Sequence, residues 1–241
     1  MPSTKLLNFL TISAGISFGG GQKRPGVLLN NAINTTICAV MVMHWAILRI
    51  AGFTNGMFAS YSPNLHSFYK HQMRRLHAAG SYLRRLFPEV ISVFAACTFN
   101  FGPSTVTIPH VDAANLVWGW CCITALGIFS PDLGGHLILW DLGLVIRFPL
   151  GSTIMIPSAL LRHSNVAIQQ GERRYSFTQY TAGGLFRWVY NGNRSDKTVI
   201  ETATLEELKL REEEKLRRWE EGLSLFMVWD EETQNFQERY A

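Results

Sequence analysis

Apolar positions in this chain change their spacing along its length, and the changes divide it into three regions. Residues 1–26 hold no sustained period and end in GGGQKRPG, where Gly19 to Gly21 and Pro25 punctuate the backbone, so a loop is predicted. From 27 to 53 the chain is apolar on most helical faces, which predicts one long buried helix closed by Gly52 and Gly56. In SPNLHSFYKHQMRRLHAAGSYLRRLF the residues Leu65, Phe68, Tyr69, Met73 and Leu76 recur at helical spacing. One or two amphipathic helices are expected, with Lys70, Arg74, Arg75, Arg84 and Arg85 on the other face. Past Pro88 the pattern becomes short β-rich runs (VISVFAACTFNFGP, STVTIPHVD, WCCITALGIF, GHLILWDL, LVIRFPLGSTIMIP, RRYSFTQYT) broken by Gly, Pro, Asn and Asp. Helices followed by many short antiparallel strands predict an α+β fold whose strands close into a jelly roll, a double-stranded β-helix. Residues 203–226 read as a charged helix with a capping box at Thr204 and Glu207 and an inner stripe of Leu205, Leu208, Leu216 and Trp219. The expected regions are 1–87 (loop and helical support), 88–193 (double-stranded β-helix core) and 194–241 (charged helix and tail).

Composition narrows the class. With 47% hydrophobic and 17% charged residues the chain is globular. Cys38, Cys97, Cys121 and Cys122 form no CxxC pair, which argues against a disulfide scaffold or zinc knuckle and for a reducing compartment. The N-terminal apolar run is weak and has no basic start, so no signal peptide is expected. The run 37–53 contains His44 and Arg49 and is shorter than the roughly 20 residues that span a bilayer, so no membrane association is expected. Charge is split: 16 basic against 6 acidic side chains up to residue 200, a net of +10, and 6 against 12 beyond it, a net of −6. A body this basic suits a polyanionic partner such as nucleic acid.

The chemistry centres on IPHVDAANLVWGW, residues 108–120. A carboxylate in such an apolar stretch either caps a turn or holds a cation. On a strand, His110 and Asp112 share a face. His163, about fifty residues on, can return beside them after four short strands with turns. Two histidines and a carboxylate form the facial triad of non-haem iron(II) oxygenases, with positions open for co-substrate and O₂. Eleven residues further, Arg174 and Ser176 form R-x-S, in which a guanidinium fork and a hydroxyl on the same strand face can clamp a carboxylate. Arg173 is the rival but faces the other way. Trp118 and Trp120 share a face and fit either a barrel core or a base pocket.

These segments carry a resemblance. HVDAANLVWG resembles the HxDxxN element of the TET/JBP dioxygenases, which oxidise methyl groups on DNA bases. SFGGGQKRPG, TFNFGP, GWCCITALG, GGHLILWDL, GSTIMIPSALLRHSN and RYSFTQYTAGGLFRWV are together similar to the fungal, transposon-associated group of that family, from about Ile16 to Asn193. The resemblance implies Fe(II) on His110, Asp112 and His163, 2-oxoglutarate as co-substrate on Arg174 and Ser176 with His136 contacting it, O₂ as oxidant, and Asn115 against a flipped base. It implies oxidation of 5-methylcytosine to 5-hydroxymethylcytosine and further products. N6-methyladenine or RNA as substrate, a protein hydroxylase and a non-catalytic DNA-binding jelly roll stay open. The cysteine-rich zinc module of vertebrate relatives is missing, so the grip on DNA is expected from Lys23 and Arg24 or from Lys70, Arg74, Arg75, Arg84 and Arg85. A monomer, and a nuclear location following from the DNA substrate, are expected.

Overall fold

The computed structural model describes residues 10–80 and 82–227. Two antiparallel sheets form its centre. The larger has the order β2-β1-β3-β9-β4-β7, from β1 (Leu10–Ser17), β2 (Gly26–Val27), β3 (Ala96–Phe101), β4 (Cys121–Ile128), β7 (Thr153–Ile156) and β9 (Arg173–Tyr180). The smaller has the order β6-β5-β8, from β5 (Leu137–Leu139), β6 (Leu144–Ile146) and β8 (His163–Asn165). This is the jelly roll expected from the strand-rich core.

Strand alternation explains how the sheets sort their residues. On β1, β3 and β9, Ile12, Ala14, Cys97, Phe99 and Phe177 pack outward against helices α1 (Ala32–Met43) and α2 (Trp45–Tyr61). Their neighbours Ser13, Thr98, Asn100, Ser176 and Thr178 face inward, between the sheets. The inner core is closed by Cys121, Ala125 and Ile156 of the large sheet against Leu137 and Leu139 of the small one. Helix α3 (Pro63–Ala79) lays Leu65, Tyr69, Met73 and Leu76 into a second cluster with Phe58, Phe94 and Phe186. Each such fully buried side chain stabilises the fold by roughly 1.5–3 kcal/mol.

Four expectations change. Residues 10–17, read as loop, are strand β1, paired with β3 over Leu10–Gly15 and with β2 at Ile16 and Ser17. Its alternation is carried by Ile12, Ala14 and Ile16, too small a signal beside the neighbouring glycines. The long helix expected over 27–53 is two helices bent by 65°, broken at His44. The imidazole of His44 caps α2 by accepting from the Ala46 N–H, and α2 runs through Gly52 and Gly56 because both stay helical. Among the described residues no single helix is long and apolar enough to cross a membrane. Third, α3 ends at Ala79, so Arg84 and Arg85 lie on the connecting segment rather than on a helix.

The last change concerns the charged C-terminal helix. It is preceded by α5 (Asp196–Thr202) and runs as α6 (Leu205–Ser224) with the expected capping box. Its inner face is not the leucine stripe. Leu205 is 87% and Leu216 80% exposed, and Trp219 is also exposed. The helix docks through polar groups. Arg211 donates to Asn191 and Asp196, Arg218 stacks on Tyr190, and Tyr190 hydroxyl meets Glu214. The side of α6 near Gly222 reaches Trp118 so closely that a Cβ there would lie 2.5 Å from the indole.

Candidate active site

His110, Asp112 and His163 come together at the mouth of the jelly roll. The backbones of His110 and His163 exchange two hydrogen bonds, at 3.0 and 2.8 Å, and the Asp112 N–H donates to Ser158 O at 2.8 Å. This pairing does the work that a regular strand was expected to do for HVD. The ligand atoms of the three side chains lie within 4.8 Å of one another. Asp112 Oδ1 is 3.8 Å from His110 Nε2, and its Oδ2 is 3.9 Å from His163 Nε2. Each imidazole donates from Nδ1 to a backbone carbonyl, Ile108 O at 2.7 Å and Leu161 O at 2.8 Å. A carbonyl only accepts, so Nδ1 carries the proton and Nε2 is the ligating nitrogen. The donor set fits a first-row divalent ion of the iron(II) type.

The triad opens into a cavity of about 350 Å³ between the two sheets. Arg174 also lines it, on the buried side of β9, while Arg173 faces solvent. Arg174 is only 2% exposed. Its Nη1 donates to Thr105 Oγ1 and O at 2.9 and 3.2 Å, and the guanidinium lies 6.0 Å from the Phe129 ring centre. Its Nε has no hydrogen-bond partner, and no carboxylate among the described residues forms an ion pair with it. Burial accordingly pulls its pKa down to about 10. A buried cation without a counter-ion is costly, and the arrangement is suited to receive a carboxylate from a ligand. Ser176 lines the same cavity and accepts from Asn100 Nδ2 at 2.8 Å.

Asn115 sits at the rim. Its backbone N–H closes a turn onto Asp112 O, and its Nδ2 donates to Ser158 Oγ at 3.1 Å. That leaves Oδ1 as the atom able to accept from a base amino group. His136 does not line the cavity. Leu137, the next residue on, does line it, while His136 lies near enough to Asp132 to help depress that exposed carboxyl, whose larger influence is Arg147. His136 thus lies outside the walls that hold Arg174 and Ser176.

The sequence reading missed the hydroxyl wall. Ser13 and Thr98 bond at 2.7 Å and Thr98 donates to Tyr180 hydroxyl at 3.2 Å, all facing the cavity. The signal was present as strict alternation in LTISAGIS, TFNF and RRYSFTQY, but only the position of the helices says which face is inside.

The basic residues do not form one surface. Lys70, Arg74 and Arg85 converge on Glu89, at 3.9, 2.5 and 3.1 Å, and hold its carboxyl below the usual range, Arg74 most strongly. Lys23 and Arg24 are exposed on the loop after Gly19 to Gly21, with Arg24 stacked on Tyr82.

No family model and no curated protein matches the sequence. Solved structures do. NgTET1 in complex with 5mC DNA aligns with a TM-score of 0.52 and 14% identity over 72% of this chain. This chain spans 61% of that one. An oxidoreductase of the 2OG-Fe(II) oxygenase family from Burkholderia pseudomallei aligns at 0.36 and 16% identity, over 75% of this chain and 70% of that one. A viral collagen prolyl hydroxylase from Paramecium bursaria Chlorella virus-1, as its 2OG complex, aligns at 0.29 and 15%, over 36% and 57%. The first likeness shows a shared fold.

Proposed function

We propose that this chain is an Fe(II)- and 2-oxoglutarate-dependent dioxygenase acting on a methylated base of DNA, with 5-methylcytosine as the substrate and 5-hydroxymethylcytosine as first product. The observation that carries the reading is Arg174, a buried guanidinium without a carboxylate partner in the same cavity as the His110–Asp112–His163 cluster. A site that binds a metal alone has no use for it, and neither has a DNA-binding jelly roll.

His110 Nε2, His163 Nε2 and one Asp112 oxygen would hold the metal. When bound, iron(II) with 2-oxoglutarate supplies the oxidation of a C–H bond by O₂. The chain's own residues do the rest. Arg174, fixed by Thr105, pairs with the distal carboxylate of the co-substrate, and Ser176 adds its hydroxyl. Val111 sits between two ligands, and the backbone bonds at His110 and Asp112 hold both donors before the metal arrives. The sheet walls keep bulk water from the reacting carbon. Asn115 Oδ1 accepts from the cytosine amino group, and the base reaches this cavity only after leaving the duplex. The DNA substrate is supported by the shared fold with NgTET1 and by the net +10 of the first 200 residues. A nuclear location follows from that substrate.

The test is mass spectrometry of nucleosides after incubating the protein with Fe(II), 2-oxoglutarate and DNA carrying both 5-methylcytosine and N6-methyladenine. Oxidised cytosines are expected. Loss of N6-methyladenine with cytosines untouched would replace the substrate. No change in either base, with succinate still formed, would remove DNA from the reading.

A further inference from the structure

Helices α1 and α2 are apolar on both sides. Toward the larger sheet they bury Cys38, Ile47 and Ala51. Away from it, Ile33, Thr36, Val40 and Met43 recur at three and four residues along α1, and Trp45, Arg49, Phe53 and Gly56 form the outer row of α2. The five large apolar side chains of these rows are each between 63% and 74% exposed. From Pro25 to Tyr69 the only Asp, Glu, Lys or Arg is Arg49. A helix that is apolar on all sides belongs in a buried place, and the described residues do not supply the outer cover.

The size of the face fits a protein partner. Its five apolar side chains offer on the order of 500 Å², as much as the largest patch of an ordinary monomer. With the threonines, serine and arginine around them as a rim, the face approaches the roughly 800 Å² per partner of a standard interface.

Gly52 and Gly56 narrow the kind of partner. Each sits inside α2, where it is about 1 kcal/mol less favourable than alanine, and a Cβ at either would meet no other group within 4 Å. Nothing among the described residues requires them to be bare. They leave a hollow beside two projecting rings, Trp45 and Phe53. Fluid lipid does not need a hollow, and a helix lying on a membrane carries lysines and arginines toward the head groups, where this face has one arginine. A rigid helix crossing α2 does use such a hollow. Projections and a hollow on one helix are complementary to themselves under a two-fold axis. With a single cation and no carboxylate, the face also lets two copies, each net +10 over its first 200 residues, approach with little repulsion.

We propose that α1 and α2 form the interface of a homodimer, in which Trp45 and Phe53 of each copy lie over the partner's Gly52 and the partner's Gly56. This replaces the monomer expected from the sequence. Both metal cavities stay open, because α1 and α2 cover the outer side of the larger sheet and the cavity lies on its inner side. The inference does not depend on the substrate or the chemistry proposed above.

The experiment is sedimentation equilibrium of the full chain from nanomolar to high micromolar concentration. The variants are Phe53→Glu, which puts a charge into the face, and Gly56→Leu, which fills the hollow without a clash inside the chain. Leu216→Glu, on the exposed side of α6, is the control. Thermal melting at the lowest concentration checks that each is folded. Flotation with vesicles of phosphatidylcholine, with and without phosphatidylserine, tests lipid as the other cover.

Expected is a monomer–dimer equilibrium for the wild type and for Leu216→Glu. Phe53→Glu should dimerise about a hundred-fold more weakly, as loss of an interface anchor from both copies does. Gly56→Leu should dimerise at least about ten-fold more weakly, while its monomer melts no lower than that of the wild type. Should Phe53→Glu not fold, Gly56→Leu decides alone, and unchanged dimerisation there would overturn the inference. A chain that is monomeric throughout, or a dimer that both folded variants leave intact, would overturn it as well. So would vesicle binding without a dimer, which would assign the face to a lipid surface, and a dimer lost in Leu216→Glu, which would move the interface to α6.

Discussion

At the scale of single residues, the strongest prediction concerns Arg174. Its guanidinium is buried beside Phe129 without a carboxylate, so it costs the unliganded protein stability. Arg174→Met should therefore raise the melting temperature of the unliganded protein, by about 1 kcal/mol or more in stability, while abolishing 2-oxoglutarate turnover. A variant less stable than wild type would mean that the arginine is already paired. At Asn115 the expected outcome is different. Asn115→Ala should reduce methyl oxidation about ten-fold, the value of one lost hydrogen bond, and leave succinate formation without substrate unchanged. Equal loss of both products would make Asn115 a prop for Ser158 rather than a reader of the base. These residues were legible early because their spacing is local: HVD and R-x-S each fix two side chains on one face. The partner of a motif was less legible. Nothing in GGHLILWDL says that Leu137 rather than His136 lines the cavity, because a three-residue strand has no alternation to read.

Elements were legible where their period was long and their caps explicit. Helix α3 and the capping box of α6 follow this rule. Strand β1 does not, since its outward Ile12, Ala14 and Ile16 alternate with serine, threonine and glycine. Gly15 shows why β1 belongs to the sheet. It sits at φ +111°, and a Cβ there would lie 2.2 Å from Ala95 O. Gly15→Ala should destabilise the fold by on the order of 2 kcal/mol, measured by chemical denaturation. A loss of only a few tenths would indicate that β1 is peripheral. The inner face of α6 was misread because the leucines were assumed to face inward, whereas its contacts are Arg211, Arg218 and Gly222. Removing its cap should thus act locally. Thr204→Ala should cost about 1 kcal/mol, seen as faster hydrogen exchange in the first turns of α6 with the protection of β9 unchanged. Loss of β9 protection would show that helix and sheet melt as one unit.

For the whole molecule, two sheets enclose a cavity lined both by the metal-binding cluster and by Arg174, whose guanidinium has no carboxylate partner among the described residues, while helices cover the outer face of the larger sheet. Charge patterning along the sequence indicated a polyanionic partner but not a surface, because Lys70, Arg74 and Arg85 are spent on Glu89. A further cavity, of about 700 Å³ and lined by α3, α4 (Gly183–Tyr190), α6 and two loops, was not legible at all, since its walls are far apart in the chain. The account depends most on the metal cluster and Arg174 forming a single site. The direct measurement is calorimetric titration of 2-oxoglutarate into the protein with Fe(II) in the absence of O₂, repeated for His163→Ala and Arg174→Met. The account predicts metal-dependent binding to the wild type, loss of that dependence in His163→Ala, and about 100-fold weaker binding in Arg174→Met, the worth of two charge-assisted hydrogen bonds. Binding that needs no metal, or that Arg174→Met leaves unchanged, would contradict it.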